Sequence, residues 1–275
     1  RILFESGTAN ETPGAPGHRY EATAVSFPPP EVEARRWWFG AEGSLNSECP
    51  TEEGSDRYED DVDAGDVRYA QTEVFDAFIE PTVPVEWSYF ADENTAAYET
   101  TLSEALVVAG QGHVDLWLRA GTTDVAVQAT LTEVRPDGNE VRVQCGWHRI
   151  VHGAEDPERS DELRVDYTFA PEDRRELVPG EWYRARIPFM PVAHVFRKGS
   201  RLRVTISTPG RDMPLWNFEN PVTAGATHEV GRGGTRGSAL VLPVWPEGAD
   251  HPEDHPAEDA LRGQPARPAR PIRNF

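Results

Sequence analysis

Apolar and polar residues alternate with a period of two through the middle of this chain, which is the pattern of strands that bury one face. In residues 113–119, Val114, Leu116 and Leu118 fall on one side of the extended chain. Residues 125–131 repeat the pattern, with an apolar side chain at every odd-numbered position. Both segments are therefore predicted to be β-strands with one face in a core.

Residues with turn chemistry follow the second of these strands. Pro136 fixes φ for the first turn position, and Gly138, after Asp137, accepts a positive φ. The alternating segment at residues 141–147 then returns along the chain. This order of elements predicts an antiparallel hairpin.

Further alternating segments are predicted to be strands at residues 1–7, 35–39, 163–169, 182–189, 200–208 and 238–244. In the second of them, Trp37 and Phe39 share one face, and a tight turn follows at residues 41–44. About eight to ten short strands with turns about every 8–12 residues, without crossover helices, are typical of a β-sandwich or jelly roll. The chain is therefore predicted to be all-β.

Three segments lack a strand pattern. Residues 48–66 are acidic and rich in turn residues, which predicts a surface loop that adds little to the core. Residues 67–105 have no clean period, and a short helix is expected near residues 71–79. Residues 246–275 are rich in proline and poor in apolar residues. We therefore expect a β-sandwich over residues 1–245 and an irregular, extended tail after it.

Composition excludes several classes of partner. The chain has 275 residues, and its 47 acidic against 27 basic side chains give a net charge of -20. Nucleic acid binding needs a basic surface, so DNA and RNA are not expected as partners. No run of about 18 apolar residues is present, and the acidic surface repels anionic membranes. The two cysteines, Cys49 and Cys145, do not form a disulfide framework or a metal pair.

The sequence contains no recognisable catalytic or cofactor motif. A nucleophile elbow requires glycine two residues before and two after the serine, whereas Ser44, Ser200 and Ser238 each follow a glycine directly. The glycine-rich residues 231–237 depart from the dinucleotide-binding spacing at Arg236 and precede a strand. We therefore predict no catalytic residue and no cofactor within this chain.

Metal binding is also not predicted, with one alternative left open. His228 and Glu229 lack the second histidine of a zinc protease motif. Asp61, Asp63 and Asp66 offer oxygen ligands of the kind calcium prefers, but the glutamate that ends an EF-hand loop is missing.

The eight tryptophans are the remaining candidates for recognition. Trp37, Trp117 and Trp147 lie on strand patterns and are interpreted as core or sheet-face residues. Trp216 lies in a loop, where nothing in the pattern requires its burial. An exposed aromatic of this kind favours a carbohydrate- or ligand-binding module as the alternative function.

Several quoted motifs, taken together and in order, cover nearly the whole chain: RILFESG, FPPP, WWFGAEGSL, HVDLWLRAGTTDVAVQATLTEVRPDGNE, CGWHR, FMPVAHVFRKGSRLRVTISTPG, SALVLPV and LRGQP. This combination resembles the C-terminal non-catalytic domain of the CocE/NonD serine hydrolases, the family of X-Pro dipeptidyl peptidases, cocaine esterase and related acylases. The resemblance implies a jelly-roll, galactose-binding-like sandwich. It also implies an α/β-hydrolase domain that precedes Arg1 and carries the serine, aspartate and histidine.

The resemblance further implies a role for this chain. Such a domain packs against the catalytic domain of the same parent chain, shapes the substrate cleft and supports assembly of an ester- or amide-cleaving enzyme that works through an acyl-enzyme. By itself it is expected not to turn over substrate. A homo-oligomer is left open as a further partner. Candidate residues for the domain contact or cleft are aromatics outside the strand pattern and one amide: Phe75, Phe78, Trp87, Trp216, Phe218 and Asn220.

Two features depart from the family pattern. Residues 67–105 match its spacing poorly until about Leu102, and Cys145 stands where a small polar residue is expected. Because the chain starts at Arg1 and not at a methionine, we expect it to be a piece of a longer protein. The compartment is not assigned by the sequence, with the cytoplasm as the default expectation.

Overall fold

The computed structural model describes residues 1–4, 18, 20–64, 89–210, 220–246, 260–261 and 264–275. Within these residues the strands are β1 (Ile2–Phe4), β2 (Tyr20–Ala22), β3 (Glu33–Phe39), β4 (Leu45–Asn46), β5 (Gly54–Glu59), β6 (Thr95–Thr101), β7 (Leu106–Gly110), β8 (His113–Arg119), β9 (Ala126–Val134), β10 (Asn139–Arg149), β11 (Trp182–Pro188), β12 (Val192–Phe196), β13 (Arg201–Ser207), β14 (Thr227–Arg232), β15 (Ala239–Val244), β16 (Ala260–Leu261), β17 (Gln264–Pro265) and β18 (Arg267–Pro268). The helical turns are short 3-10 segments at Ala41–Gly43, Asp92–Asn94, Pro171–Asp173 and Gly234–Arg236.

Two large sheets face each other. One has the strand order β18-β10-β9-β13-β6. The other has nine strands, with the path β12-β7-β15-β8-β14-β5, β11 beside β8, and β3 between β15 and β4. The pairings between these strands are antiparallel. The predicted all-β sandwich is thus confirmed, while the jelly-roll connectivity stays a prediction.

The core between the sheets is built from the apolar rows that the alternation predicts. Val114, Leu116 and Leu118 of β8 are buried on one side, opposite the odd-numbered apolar residues of β9. Trp37 and Phe39 of β3 also point into this core. Because complete burial of one aliphatic side chain contributes about 1.5–3 kcal/mol, these rows supply much of the drive for folding.

The predicted hairpin between residues 125 and 147 is present as β9 and β10. Gly138 has φ +87, a conformation that favours glycine at this turn. A bulge between Arg142 and Gln144 then shifts the register of β10. Such a bulge bends the strand without ending its pairing.

The prediction of a surface loop over residues 48–66 is wrong for its central part. Residues Gly54–Glu59 form β5, which pairs with β14. Asp56 and Tyr58 point inward; the Asp56 carboxylate accepts a hydrogen bond from the Tyr98 hydroxyl (2.7 Å). The acidic composition of the segment does not reveal this strand, because Asp56 can be buried only through its bond to Tyr98, which lies in a distant segment.

The strand predicted at residues 163–169 is also absent. Its backbone bonds instead to nearby side chains: Asp161 accepts hydrogen bonds from the amides of Leu163 (2.8 Å) and Arg164 (2.7 Å). Local bonds of this kind compete with a strand ladder. Residues 155–167 therefore fold over the outer face of the nine-stranded sheet, where the Tyr167 hydroxyl bonds to the backbone of Arg186. The helix expected near residues 71–79 lies outside the described residues.

The first strand covers one end of the same outer face. β1 and β2 form a two-stranded hairpin. Ile2 and Phe4 pack against Val107 of β7, Val195 of β12 and Trp245 in a second, smaller core. The start of the described chain therefore lies on the outside of the nine-stranded sheet.

The end of the chain crosses the other sheet. We call residues 264–275 the C-terminal strap, because they run across the outer face of the five-stranded sheet. The strap bonds in turn to β10, β13, β6 and β5 through Arg267, Arg270, Asn274 and Phe275. It thereby connects one edge of the five-stranded sheet with the nine-stranded sheet.

Candidate domain-contact site

A serine, a histidine and a carboxylate do meet in this structure, but not in the order of a catalytic triad. Ser200 Oγ donates to Glu133 Oε1 (2.7 Å), and His194 Nε2 lies 3.0 Å from Glu133 Oε2. In a triad the imidazole lies between the serine and the acid, so that it can take the serine proton. Here the carboxylate lies between them, and all three side chains are buried. The cluster has the geometry of a structural network.

The electrostatics of Glu133 agree with that role. Burial opposes its ionisation, but hydrogen bonds from His194, the Arg197 amide and Ser200 outweigh burial and lower the pKa of Glu133 to about 2. A carboxylate held this firmly is a poor proton acceptor. It joins β9 to β12 and to the turn before β13.

A second buried pair links His228 with Asp60. The Gly121 amide donates to His228 Nδ1 (3.1 Å), which leaves the proton on Nε2 to bond Asp60 Oδ1 (3.1 Å). Asp60 Oδ2 accepts from the Thr223 amide (3.0 Å). The pair satisfies two loop amides, Gly121 after β8 and Thr223 before β14, and its histidine is fully buried.

The acidic residues considered for calcium are only partly described. Asp61 is buried and its amide bonds to Thr208 Oγ1 (3.1 Å), while the Asp63 amide donates to Asp61 Oδ1 (3.0 Å). Asp66 lies outside the described residues. Over the described ranges, no group of three or more histidine, cysteine or acidic side chains is placed to hold a metal ion. Calcium binding by this segment therefore stays untested.

Among the six candidate contact residues, Asn220 is described, and its side chain bonds to the residues that precede the undescribed segment 211–219. Its Nδ2 donates to the carbonyl of Pro209 (2.7 Å), which holds the two ends of the segment between Gly210 and Asn220 together. The other five candidates, Phe75, Phe78, Trp87, Trp216 and Phe218, lie outside the described residues.

A polar cluster on the five-stranded sheet holds the backbone at Gly210. Gln128 Oε1 accepts from the Gly210 amide (3.2 Å) and from Trp147 Nε1 (2.7 Å), and Gln128 Nε2 donates to Thr130 Oγ1 (2.8 Å). Trp147 is half-buried beside it, as expected of a sheet-face residue. Sequence reasoning missed Gln128, because a glutamine at a polar position of a strand gives no signal of its partners.

Exposed apolar side chains lie beside the first strand. Leu3 and Phe27 are each 49% exposed, and both line a depression of about 240 Å³ together with Arg1 and Pro191. In the sequence, the proline triplet after Phe27 was the available signal for this exposed region.

The described residues contain no helix with the length and hydropathy of a membrane span.

Two buried histidines give the domain a pH-dependent stability. His148 stacks on Tyr167 with ring centroids 3.8 Å apart. Burial lowers the pKa of His148 to about 3, and the nearby His152 acts in the same direction. Burial, together with the Arg186 charge, lowers the pKa of His113 to about 4. At a pH between these lowered values and about 6.5, both histidines are therefore neutral in the folded state but protonated in the unfolded chain.

The expected result is a loss of stability as pH falls. Between the ordinary histidine pKa near 6.5 and the lowered values, the unfolded state binds more protons, so each histidine removes about 1.4 kcal/mol of unfolding free energy per pH unit. His148→Phe should flatten this slope by that amount over about pH 4 to 6, as measured by urea unfolding. His18→Gln, at a half-exposed histidine, is the control. An unchanged slope in His148→Phe would contradict the assignment.

Comparison with known proteins gives a consistent relationship. A family model described as the X-Pro dipeptidyl-peptidase C-terminal non-catalytic domain matches residues 7–241. Two curated proteins named as candidate serine esterases, from Mycobacterium bovis and Mycobacterium tuberculosis, are each 25% identical over 193 residues. These alignments cover 67% of this chain and 30% of each relative. The chain thus spans less than a third of the length of these relatives.

Solved structures show the same fold. A CocE/NonD family hydrolase from Staphylococcus aureus matches with a TM-score of 0.62 and 18% identity, over 81% of this chain and 38% of that chain. An aminopeptidase from a marine sediment archaeon, Thaumarchaeota archaeon, matches with a TM-score of 0.60 and 20% identity, over 85% and 39%. An α-amino acid ester hydrolase matches with a TM-score of 0.53 and 16% identity, over 77% and 36%.

The family match extends over most of the β-sandwich, from the segment after β1 to the middle of β15. The matched structures share the sandwich at low identity, as expected when a fold is kept while its surface changes. The chain therefore belongs to the family of X-Pro dipeptidyl-peptidase C-terminal non-catalytic domains.

Proposed function

We propose that this chain is the accessory β-sandwich of an ester- or amide-cleaving serine hydrolase. It packs against an α/β-hydrolase domain of the same polypeptide, shapes the substrate cleft and supports assembly. The acyl-transfer chemistry belongs to that other domain, which supplies the nucleophile and its base. Family membership and the partial coverage of the relatives support this assignment.

The cleft-shaping role rests on the bonds that fix Pro209, Gly210 and Asn220. Gln128 of β9 ties the Gly210 amide to the five-stranded sheet, and Asn220 bonds in turn to the Pro209 carbonyl. Loops that leave a rigid scaffold from a fixed base are suited to present side chains to a neighbouring site. The same bonds have no evident role in the main hydrophobic core, which lies on the other face of this sheet.

The test uses the intact parent enzyme. Asn220→Ala removes the bond to Pro209 and should raise KM for an ester substrate by at least about threefold, because a small displacement of a positioning loop weakens productive binding. Asn139→Ala, at the turn between β9 and β10, is the matched control and should leave KM unchanged. Steady-state kinetics with p-nitrophenyl acetate and one peptide substrate measures both.

A second measurement tests whether this chain has hydrolase activity in the absence of the other domain. The 275-residue chain alone is incubated with p-nitrophenyl acetate and a fluorophosphonate probe. We expect no turnover and no labelled serine, since Ser200, which shares a carboxylate with His194, is buried. Stoichiometric labelling of any serine would contradict the accessory role.

The alternative of a carbohydrate- or ligand-binding module depended on Trp216. That residue lies outside the described residues, so the alternative stays a prediction. Glycan binding that disappears in Trp216→Ala would favour it.

A further inference from the structure

The outer face of the nine-stranded sheet carries tryptophans and arginines in neighbouring rows. On β8, Trp117 points away from the core, and it pairs with Arg184 of β11 in the strand ladder. One row further, Asp115 pairs with Ala239, which pairs in turn with Trp38 of β3. We define the tryptophan–arginine face by these and adjoining side chains: Arg36, Trp38, Trp117, Trp182, Arg184 and Arg236.

Described residues cover two other regions of this outer face. The β1–β2 hairpin packs on β7 and β12. Residues 155–167 cover Arg186 and His113, each two residues along its strand from Arg184 or Asp115. Outside these two regions the three tryptophans remain half-buried, and the side chains of Arg184 and Arg236 are 57% and 42% exposed.

The face is held in a fixed geometry by a buried acid. Asp115 accepts two hydrogen bonds from Arg184, through Nε (2.8 Å) and Nη2 (2.8 Å), and a third from Arg36 Nη1 (3.1 Å). Charge-assisted, bidentate bonds of this type fix the orientation of a guanidinium. The arginines therefore present their remaining donors at defined positions.

Two glycines leave room for the tryptophan side chains on this face. A Cβ added to Gly231 would lie 3.1 Å from Trp117 Cβ and from the Trp182 ring, and one added to Gly237 would lie 3.1 Å from the Trp38 ring. The rings of Trp182 and Trp38 therefore pack against glycine backbone that carries no side chain. Rigid aromatic side chains of this kind bind a partner with little loss of conformational entropy.

The surroundings of the rings favour a protein over a sugar. Arg36 lies 5.2 Å from the Trp38 ring centroid, and Arg236 lies 5.2 Å from that of Trp182. A guanidinium already occupies one face of each ring, whereas sugar stacking needs a free face. Tryptophan and arginine together are the residue types most enriched at the energetic centres of protein interfaces.

We propose that the tryptophan–arginine face is the surface on which the α/β-hydrolase domain of the same polypeptide docks. This inference rests on the proposed function. The first strand lies on the same outer side of the sheet, so chain that precedes it would leave the sandwich on the side that carries this face. The family description places such domains at the C-terminus, and more than half of the matched hydrolase chain lies outside the aligned part.

Charge identifies the surface that fits it. The chain as a whole carries a net charge of -20, whereas on this face Arg36 and Arg184 share the single carboxylate of Asp115, which leaves one positive charge in excess. Arg236 has only a long ion pair, 3.7 Å, with the exposed Glu53. The matching surface of the hydrolase domain is therefore expected to place an acidic group beside Arg184 and apolar groups against the tryptophans. Complementary charges of this kind fix orientation more than they add affinity.

The test is hydroxyl-radical footprinting of the isolated chain and of the intact parent enzyme. Oxidation of Trp38, Trp117 and Trp182 should fall by at least about fivefold in the parent, because interface cores exclude water. Phe275, which is 64% exposed at the end of the C-terminal strap, is the internal control. In the parent, the double variant Trp182→Ala and Arg236→Glu should restore oxidation of Trp117. Arg159→Glu, an exposed arginine with a long ion pair, should not.

The possible outcomes separate the two proposals. Protection at Leu3 and Phe27 but not on the tryptophan–arginine face overturns the docking surface and leaves the accessory function standing. Equal oxidation throughout the isolated chain and the parent overturns both. Protection of the isolated chain by a soluble polysaccharide, lost in Trp182→Ala, would identify a sugar platform and overturn the docking proposal.

Discussion

Removal of the C-terminal strap is expected to lower the free energy of unfolding by about 4 kcal/mol, since a buried ion pair loses one partner and several hydrogen bonds are lost with it. Glu140 is 2% exposed and accepts bonds from Thr132 Oγ1 (2.9 Å), Arg203 Nη1 (3.4 Å) and Arg267 Nε (3.2 Å). A chain that ends at Gly263 lacks Arg267. It therefore leaves a buried carboxylate partly uncompensated.

Further strap contacts add to this effect. Arg267 and Arg270 lie over the Tyr89 ring, with Cζ 4.4 Å and 3.7 Å from its centroid. Asn274 makes two bonds with the backbone of Ala97, at 3.0 Å and 2.9 Å, in the manner of a paired strand residue. The strap is therefore part of the folded unit and not a solvated appendix.

Urea unfolding of the full and truncated chains measures the effect. Arg267→Ala alone should reproduce roughly half of the loss, about 2 kcal/mol. Arg273→Ala is the control within the strap, because its side chain is exposed and its ion pair with Asp92 is long (3.6 Å); it should change stability by less than about 0.5 kcal/mol. Equal unfolding midpoints for the full and truncated chains would show that the strap is dispensable.

Gly146→Ala is expected to destabilise the domain by about 4 kcal/mol or more, the range of severe steric defects in cores. A Cβ at this position would lie 1.9 Å from the carbonyl oxygen of Pro188 and 3.1 Å from Phe189 Cα. These are backbone atoms at the end of β11, so a side-chain rotation cannot relieve the contact. The two sheets approach each other here, and alanine would force them apart.

Gly138→Ala is the matched control. Gly138 has φ +87, but a Cβ there would meet nothing within 4 Å, so its cost is limited to backbone strain of about 1 kcal/mol. Thermal unfolding of the two variants compares the cost of a steric clash, in Gly146→Ala, with the cost of a strained backbone, in Gly138→Ala. A loss in Gly146→Ala no larger than that in Gly138→Ala would mean that the sheets can separate at this point without penalty.

The strands that could be predicted are those with apolar residues in strict alternation. β8, β9 and β10 were predicted because Val114, Leu116 and their counterparts repeat every second residue, and that period identifies a buried face. β5 was missed, since its inward residues include Asp56, whose partner Tyr98 lies in another strand. Residues 163–169 also alternate, but they form no strand, because the Asp161 carboxylate accepts a hydrogen bond from the Leu163 amide.

The candidate site was predictable to a smaller extent. Asn220 was named from the sequence as a contact candidate, and that role stays a prediction; the structure shows its bond to Pro209. Gln128 and Trp182 gave no signal, because their roles depend on residues far away in the chain. Neither a glutamine that binds Gly210 nor a tryptophan that rests on Gly231 differs, in sequence, from any other strand residue.

By itself the sequence determined the fold class, the turn at Gly138 and the absence of a recognisable catalytic motif, because these depend on residues that are close together in the chain. Only the tertiary structure decided that Ser200, Glu133 and His194 form a sealed network, that the strap closes over Glu140, and that arginines and tryptophans share one face. Each of these features joins segments tens of residues apart. Their distances and burial are fixed by how the two sheets pack, which no local pattern encodes.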